Sequence, residues 1–305
     1  MTKTWTMLAA AALAGLAPAG CSKPHHQAAN ADTTFTGLTI NGFSTPESVL
    51  YDSVADDYLV SNINGAPTAK DNNGFISRVS PTGQILQLKF IQGDSNGVTL
   101  NAPKGTGIHG DTLFVADIDA VRLFNRATGA PLGSWPVRGA TFLNDIAIGP
   151  DGGVYVTDSG LNPDFSSSGT DGIYRFNAQG HMDTLGRGKE LDRPNGIWVD
   201  SAGIVVVTFG SDEVYRVGTG GSRMLLGKAP AGQLDGVFRL PNGSLLLSSW
   251  ADSSIFALTP PDTVFHLVMR GFESPADIGL DSKRHRLLIP QFNDNRVQIR
   301  PLPAM

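Results

Sequence analysis

One short pattern recurs six times along the chain, and that recurrence leaves very few folds open to it. The copies are PESVLYD from Pro46, PKGTGIHGD from Pro103, LNDIAIGPDG from Leu143, PNGIWVD from Pro194, LDGVFRLPNG from Leu234 and PADIGLD from Pro275. Each has a turn-like start, an alternating apolar run and a polar turn, the pattern of one short strand entering a hairpin. Their second positions are Glu47, Lys104, Asn144, Asn195, Asp235 and Ala276, so successive spacings are 57, 40, 51, 40 and 41 residues. Self-similarity at roughly 40–50 residues is the mark of β-propeller blades. Two more β-rich runs follow each copy, DDYLVSN and GFISRVS in the first repeat, HRLLIPQ and RVQIRP in the last. The expected fold is therefore all-β, a six-bladed β-propeller.

The last repeat supplies only three strands before the chain ends. Residues 33–40, TTFTGLTI, alternate as a strand does, so this N-terminal segment is expected to form the outer strand of the last blade and remove an open edge. Ahead of it, residues 1–20 have the form of an export signal: Lys3, an apolar stretch from Met7 to Ala17 too short to span a bilayer, then small residues before Cys21. Pro18-Ala19-Gly20-Cys21 resembles a bacterial lipoprotein signal, which makes Cys21 the expected lipidation site. Residues 21–32, with adjacent His25 and His26, read as a polar tether, and 33–305 as the propeller. The implied location is the periplasm or the outer membrane, with the membrane reached through that lipid. Cys21 is the only cysteine, so no intramolecular disulfide staples the fold, and a monomer held by its own core is expected.

Several function classes drop out. Lys and Arg total 23 against 28 Asp and Glu, a net charge of −5 with no basic run, so nucleic acid is not an expected partner. Gly105-Thr106-Gly107-Ile108-His109-Gly110 fits GxGxxG but falls on a strand and its turn with no helix following, which argues against a dinucleotide site. His109, His181, His266 and His285 lie at turns or on outer strands, away from any nucleophile motif. The long loops at 64–73 and 161–171 are rich in Gly, Asn and Ser and are expected to shape a binding mouth.

The first strand of each propeller blade lines the central channel, so the six second positions form a ring at one mouth. Glu47 and Asp235 bring carboxylates, Asn144 and Asn195 amide oxygens, a donor set suited to a hard divalent cation. Without a cation, two carboxylates ~4–5 Å apart repel by about 3–4 kcal/mol at an effective dielectric near ~20. Lys104, in the same ring, is an alternative source of positive charge. The second-strand ends Asn62, Asp117, Asp158, Phe209 and Trp250 are expected at the same mouth, a polar and aromatic mixture suited to a small organic ligand.

With these residues in view, the chain from about residue 33 to its C-terminus resembles the family of senescence marker protein (regucalcin), gluconolactonase and luciferin-regenerating enzyme. These are six-bladed calcium-dependent propellers, related more distantly to diisopropylfluorophosphatase and the paraoxonases. The resemblance implies one catalytic metal held by Glu47 in TPESVLYD, Asn144 in FLNDIAIGPDG, Asn195 in RPNGIWVD and Asp235 in LDGVFRLPNG. Calcium is the first expectation, with magnesium, manganese and zinc as alternatives, or no metal if Lys104 fills its place. Asp235 becomes the catalytic base or nucleophile, and Lys104, Asp117, Asp158, Phe209 and Trp250 the substrate-binding set. Phe142 stands where sugar-lactone members resembling regucalcin carry a substrate-binding Arg, which turns the expectation away from sugar acids. The expected function is a periplasmic metal-dependent hydrolase of lactones or related esters acting on a small molecule. The competing expectation is a non-enzymatic ligand-binding or scaffolding lipoprotein in which Lys104 replaces the metal.

Overall fold

In the computed structural model, which describes residues 1–2 and 35–304, six four-stranded antiparallel sheets follow one another along the chain. The first comprises Pro46–Asp52, Asp57–Asn62, Phe75–Val79 and Ile85–Gln92, paired in that order. The next four open with Pro103–His109, Leu143–Ile148, Pro194–Asp200 and Leu234–Arg239, the strands foreseen from the repeat. All six sheets belong to one unit, Ala31–Met305.

The sixth sheet pairs Gly279–Asp281, Arg286–Gln291 and Arg296–Pro301, and its outermost strand is Leu38–Asn41 from the N-terminal side. Leu38 pairs with Ile299 and Asn41 with Arg296. The closing strand is thus shorter than the stretch 33–40 that alternates in sequence. Gly37 breaks the extended run at φ +128, and its backbone lies against the Arg300 side chain. Phe35 contributes through packing instead, its ring 3.7 Å beneath the Arg286 guanidinium. Residues 33–34, the tether, Cys21 and all but two residues of the export signal lie outside the described residues.

Among the described residues the core forms seven clusters, six of them between consecutive blades and the seventh, Ile63, Ala102 and Ile118 with Phe292 against it, near the channel mouth. Leu59 and Ile76 meet Leu113, Val115 and Phe124 between blades one and two, while Ile299 and Leu288 meet Tyr58 and Val60 where blade six closes on blade one. Every sheet therefore buries both faces, and Asp57–Asn62 is buried along its whole length. Each fully buried Val, Leu, Ile or Phe contributes about 1.5–3 kcal/mol of transfer free energy.

Around the channel the inner strands approach too closely for side chains at some positions. A Cβ at Gly196 would stand 2.2 Å from the Asp235 carbonyl oxygen, and one at Gly236 2.4 Å from the Ile278 nitrogen. Each of the first five inner strands also carries a register shift at its mouth, between Pro46 and Val49, Pro103 and Thr106, Leu143 and Ile146, Pro194 and Ile197, and Leu234 and Val237. Such bulges re-aim side chains that strict alternation would send into the neighbouring blade. Hydroxyls on the second strands fix them. Ser61, Thr157 and Ser248 accept the N–H groups of Ser48 (2.8 Å), Asp145 (3.1 Å) and Gly236 (2.8 Å). Thr157 and Ser248 then donate to the carbonyls of Asn195 (2.7 Å) and Ala276 (2.8 Å) in the next blade.

Candidate active site

The bulges bring Glu47, Lys104, Asn144, Asn195 and Asp235 onto the floor of one cavity at the channel mouth. Ala276 completes the ring without a functional group. All five polar residues are at most 4 % exposed. The loops at 64–73 and 161–171 reach over the rim with Pro67, Leu161 and Phe165.

Pairing register decides which second-strand residues join them. Pro46, Pro103, Leu143, Pro194 and Leu234 pair with Asn62, Asp117, Asp158, Thr208 and Ser249, and Pro275 bridges to Gln291. One residue further on stand Ile63, Ile118, Ser159, Phe209, Trp250 and Phe292. Phe209 and Trp250 therefore belong to a different row from Asp117 and Asp158, and a one-residue step along a strand reverses its face. Phe209 and Trp250 line the cavity together with Phe292 and Ile63. Asp117 and Asp158 do not face substrate as expected; they clamp the loops that enter the channel strands. Asp117 accepts from the N–H groups of Asn101 (3.1 Å) and Ala102 (2.8 Å) and from Arg122 (2.9 Å), and Asp158 from those of Phe142 (2.9 Å) and Gly160 (3.0 Å). Asn62 does the same for Ser44 (3.0 Å).

The floor is held in one orientation. Asn144 Nδ2 donates to Ser159 Oγ at 3.0 Å, and Ser159 Oγ donates to the Pro194 carbonyl at 2.8 Å, which turns Asn144 Oδ1 inward. That oxygen has no hydrogen-bond partner, and neither have Glu47 Oε2 and Asp235 Oδ1. A buried polar atom left unpaired costs about 1–3 kcal/mol. Three such oxygens from three blades at one cavity are a donor set without its acceptor, and two carboxylates with amide oxygens are the chemistry that holds a hard divalent cation. The set contains only two acidic groups at its core, and among the described residues no cluster of three or more His, Cys, Asp and Glu is arranged as a metal centre.

Burial dominates the electrostatics. It holds the Glu47 carboxyl well above the usual range, aided by the charges of Asp235 and Asp277 and opposed by Lys104. It raises Asp235 likewise, with Asp277 adding to the effect, while Asn195 and the Trp250 indole act against it. Trp250 Nε1 nevertheless has no acceptor in hydrogen-bonding geometry. Below the ring, burial pushes Asp277 up to about 7 and raises Asp145. Lys104 is lowered to about 8 by burial, against the pull of Glu47. Its Nζ donates to the Ala102 carbonyl at 3.0 Å and lies 4.3 Å from the Phe142 ring centroid. No ion pair joins it to Glu47 or Asp235 among the described residues.

Sequence reasoning missed Ser159, Phe165, Phe292, Asp145 and Asp277. Counting from the residue that pairs at each strand start would have placed Ser159 and Phe292 in the row of Trp250. The residues following the ring, Ser48, Gly105, Asp145, Gly196, Gly236 and Asp277, form a row of small or acidic types, and the first five of them fall within the register shifts.

No protein-family model matches the chain, and no curated protein matches it in sequence. Solved structures do. A gluconolactonase from Xanthomonas campestris is 14% identical, with 88% of this chain and 90% of that one covered at a TM-score of 0.62. A streptogramin B lyase is 13% identical over 86% and 96% at 0.60. A virginiamycin B lyase from Staphylococcus aureus, solved with quinupristin, is 14% identical over 87% and 98% at 0.57. At such identities the likeness is one of fold, and it spans nearly the whole propeller: gluconolactonase-type structures stand among this chain's neighbours in fold.

Proposed function

We propose that this propeller is a metal-dependent hydrolase of lactones or related esters, with a divalent cation, calcium first, held by Glu47, Asn144, Asn195 and Asp235. The observation that carries this reading is the set of unpartnered oxygens, Glu47 Oε2, Asn144 Oδ1 and Asp235 Oδ1, gathered at one cavity floor. The likeness in fold to a gluconolactonase supports the reaction class. When bound, the cation supplies positive charge that polarises the substrate carbonyl and stabilises the oxyanion.

The chain's own groups supply the proton transfers. Water adds to the carbonyl carbon and gives a proton to the Asp235 carboxylate through the oxygen not assigned to the cation, the acyl C–O bond breaks, and that proton passes to the leaving alkoxide, yielding a hydroxy acid. Asp235 and Glu47 are anionic in this buried floor only when positive charge offsets their desolvation. Lys104 has two N–H groups beyond the one bonded to Ala102, available to the oxyanion. The alternative, a scaffold plugged by Lys104, requires its ammonium between Glu47 and Asp235, and its bond to Ala102 and stacking on Phe142 support the hydrolase instead.

The test is a series of lactones and aryl esters assayed before and after chelation, with calcium, magnesium, manganese and zinc restored singly. Turnover lost on chelation and regained with one ion supports the reading; turnover indifferent to chelation, or absent throughout, contradicts it. The same proposal places the protein in the periplasm or at the outer membrane, anchored through a lipid on Cys21. Full-length protein should then sediment with membranes and Cys21→Ser should not; identical fractionation of the two contradicts the anchor.

A further inference from the structure

The floor that would carry the chemistry is polar, but the walls above it are not. Phe209 and Trp250 meet edge to face with centroids 5.5 Å apart, and Trp250 and Phe292 lie 5.0 Å apart, so blades four, five and six present one continuous aromatic wall. Opposite stand Phe142 and Phe165, 6.4 Å apart. Phe209, Trp250 and Phe292 are only half-buried and Phe165 is 46% exposed, although large aromatic rings have most to gain from leaving water. Rings left open around a polar floor are a surface shaped for an apolar visitor.

The cavity between floor and rings is small, ≈ 30 Å³, room for two or three waters at ~10–15 Å³ each. It takes a carbonyl oxygen or an ion and little more. Whatever a substrate carries beyond its reacting carbonyl must lie among the rings. There the lining side chains are Ile63, Pro67, Leu161 and the rings, and the one polar atom among them, Trp250 Nε1, is itself buried on the Asp235 side. A polyhydroxylated ring placed in this cup would strip water from hydroxyls that find no acceptor in return, and each such loss is a direct penalty. An aryl or alkyl substituent suffers no such loss and covers the wall.

Resting on the hydrolase reading, we infer that the substrates are lactones or esters bearing an aromatic or aliphatic substituent on the ring or acyl part, and that Phe209, Trp250 and Phe292 are the residues that select them over sugar lactones. The carbonyl points to the floor, with Lys104 beside Phe142 on one side of the cup, and the substituent stacks on the wall formed by blades four to six.

The experiment compares α-phenyl-γ-butyrolactone with D-glucono-δ-lactone in the calcium-loaded full-length protein, and adds the unreactive lactam 3-phenylpyrrolidin-2-one in a calorimetric titration. The phenyl lactone should be favoured in kcat/KM by about a hundredfold, within the range of about 10–200-fold that a small change in apolar fit produces. Trp250→Ala should reduce that preference by roughly tenfold through KM, and Trp250→Phe should restore most of it. Equal or reversed preference for the glucono-lactone overturns the inference while leaving hydrolysis standing. Trp250-dependent binding of the phenyl lactam with no turnover of either lactone upholds the apolar selection and sinks the hydrolase. Absence of lactam binding, with no preference between the lactones, also overturns it.

Discussion

The inner strands carry two successive rows of polar groups, one at the channel mouth and one just below it, and the two rows are in opposite states. At the mouth, Glu47 Oε2, Asn144 Oδ1 and Asp235 Oδ1 lack partners. One residue further along the strands, Asp145 accepts from the N–H groups of Ile146 (2.6 Å) and Ile197 (2.7 Å), and Asp277 accepts from Ser48 Oγ at 2.6 Å. Cavity size runs the other way: about 460 Å³ lies beyond Asp145 and Asp277, walled largely by aliphatic side chains, against about 30 Å³ at the mouth. Single buried oxygens without a partner occur elsewhere, on Asp57 and Asp171 among others, and the mouth is set apart by three of them converging on one cavity, a feature that volume does not report.

Substitutions in the two rows should therefore act on different quantities, turnover at the mouth and stability below it. The largest effect is expected for Asp235→Asn, which removes an anionic ligand and the proposed base together: lactone hydrolysis should fall about a thousandfold, within the range of about 10²–10⁴-fold for general-base loss, with near-ultraviolet dichroism unchanged. Retained turnover would take Asp235 out of the chemistry. In the row below, Asp145→Ala leaves the Ile146 and Ile197 N–H groups buried without acceptors, and at about 1–3 kcal/mol each should cost the fold roughly 2–6 kcal/mol in urea unfolding. A neutral result there would show that water replaces the carboxylate and that the two rows do not differ as described.

The smaller effects sharpen the same contrast. In chelator, Glu47→Gln removes a desolvated charge from an unsatisfied site and should raise stability by about 1 kcal/mol, and with calcium present the sign should reverse as the ion is lost. A loss of stability in both conditions would make Glu47 a structural residue like Asp145. Proton linkage gives the pH dependence. Asp277 has a folded value near 7 against an ordinary 3.8, and Glu47 and Asp235 are raised in the same direction. A carboxyl whose folded value is raised contributes stability present below its unfolded value and lost as pH rises through the folded one. Metal-free protein should thus lose stability progressively from about pH 4 to about pH 7, and calcium should flatten the upper part of that slope. Stability that rises over this interval without calcium would mean that the carboxyls are already compensated.

Much of this was legible in the repeat. Six copies at blade spacing fixed the strand order, and the second position of each gave Glu47, Lys104, Asn144, Asn195 and Asp235 because a channel strand has to start somewhere at the axis. What the repeat could not convey was the phase of the second strand. Asn62, Asp117 and Asp158 look equivalent to Phe209 and Trp250 as strand ends, but pairing puts them one residue apart, and with a period of two that separates clamp from pocket wall. Phe165 was invisible for another reason: it sits in a loop at φ +60, carrying no periodic signal. The N-terminal strand was legible in kind, and its start at Leu38 was set by Gly37, which alternation alone does not register.

The most direct test of the unmet demand at the mouth is a calcium titration by calorimetry on chelated, full-length protein. One ion per chain should bind to the wild type, with affinity lost in Asp235→Asn and strongly reduced in Asn144→Ala, and retained in Trp250→Ala. No binding by the wild type, or binding indifferent to Asp235 and Asn144, would contradict the assignment of those oxygens to a cation.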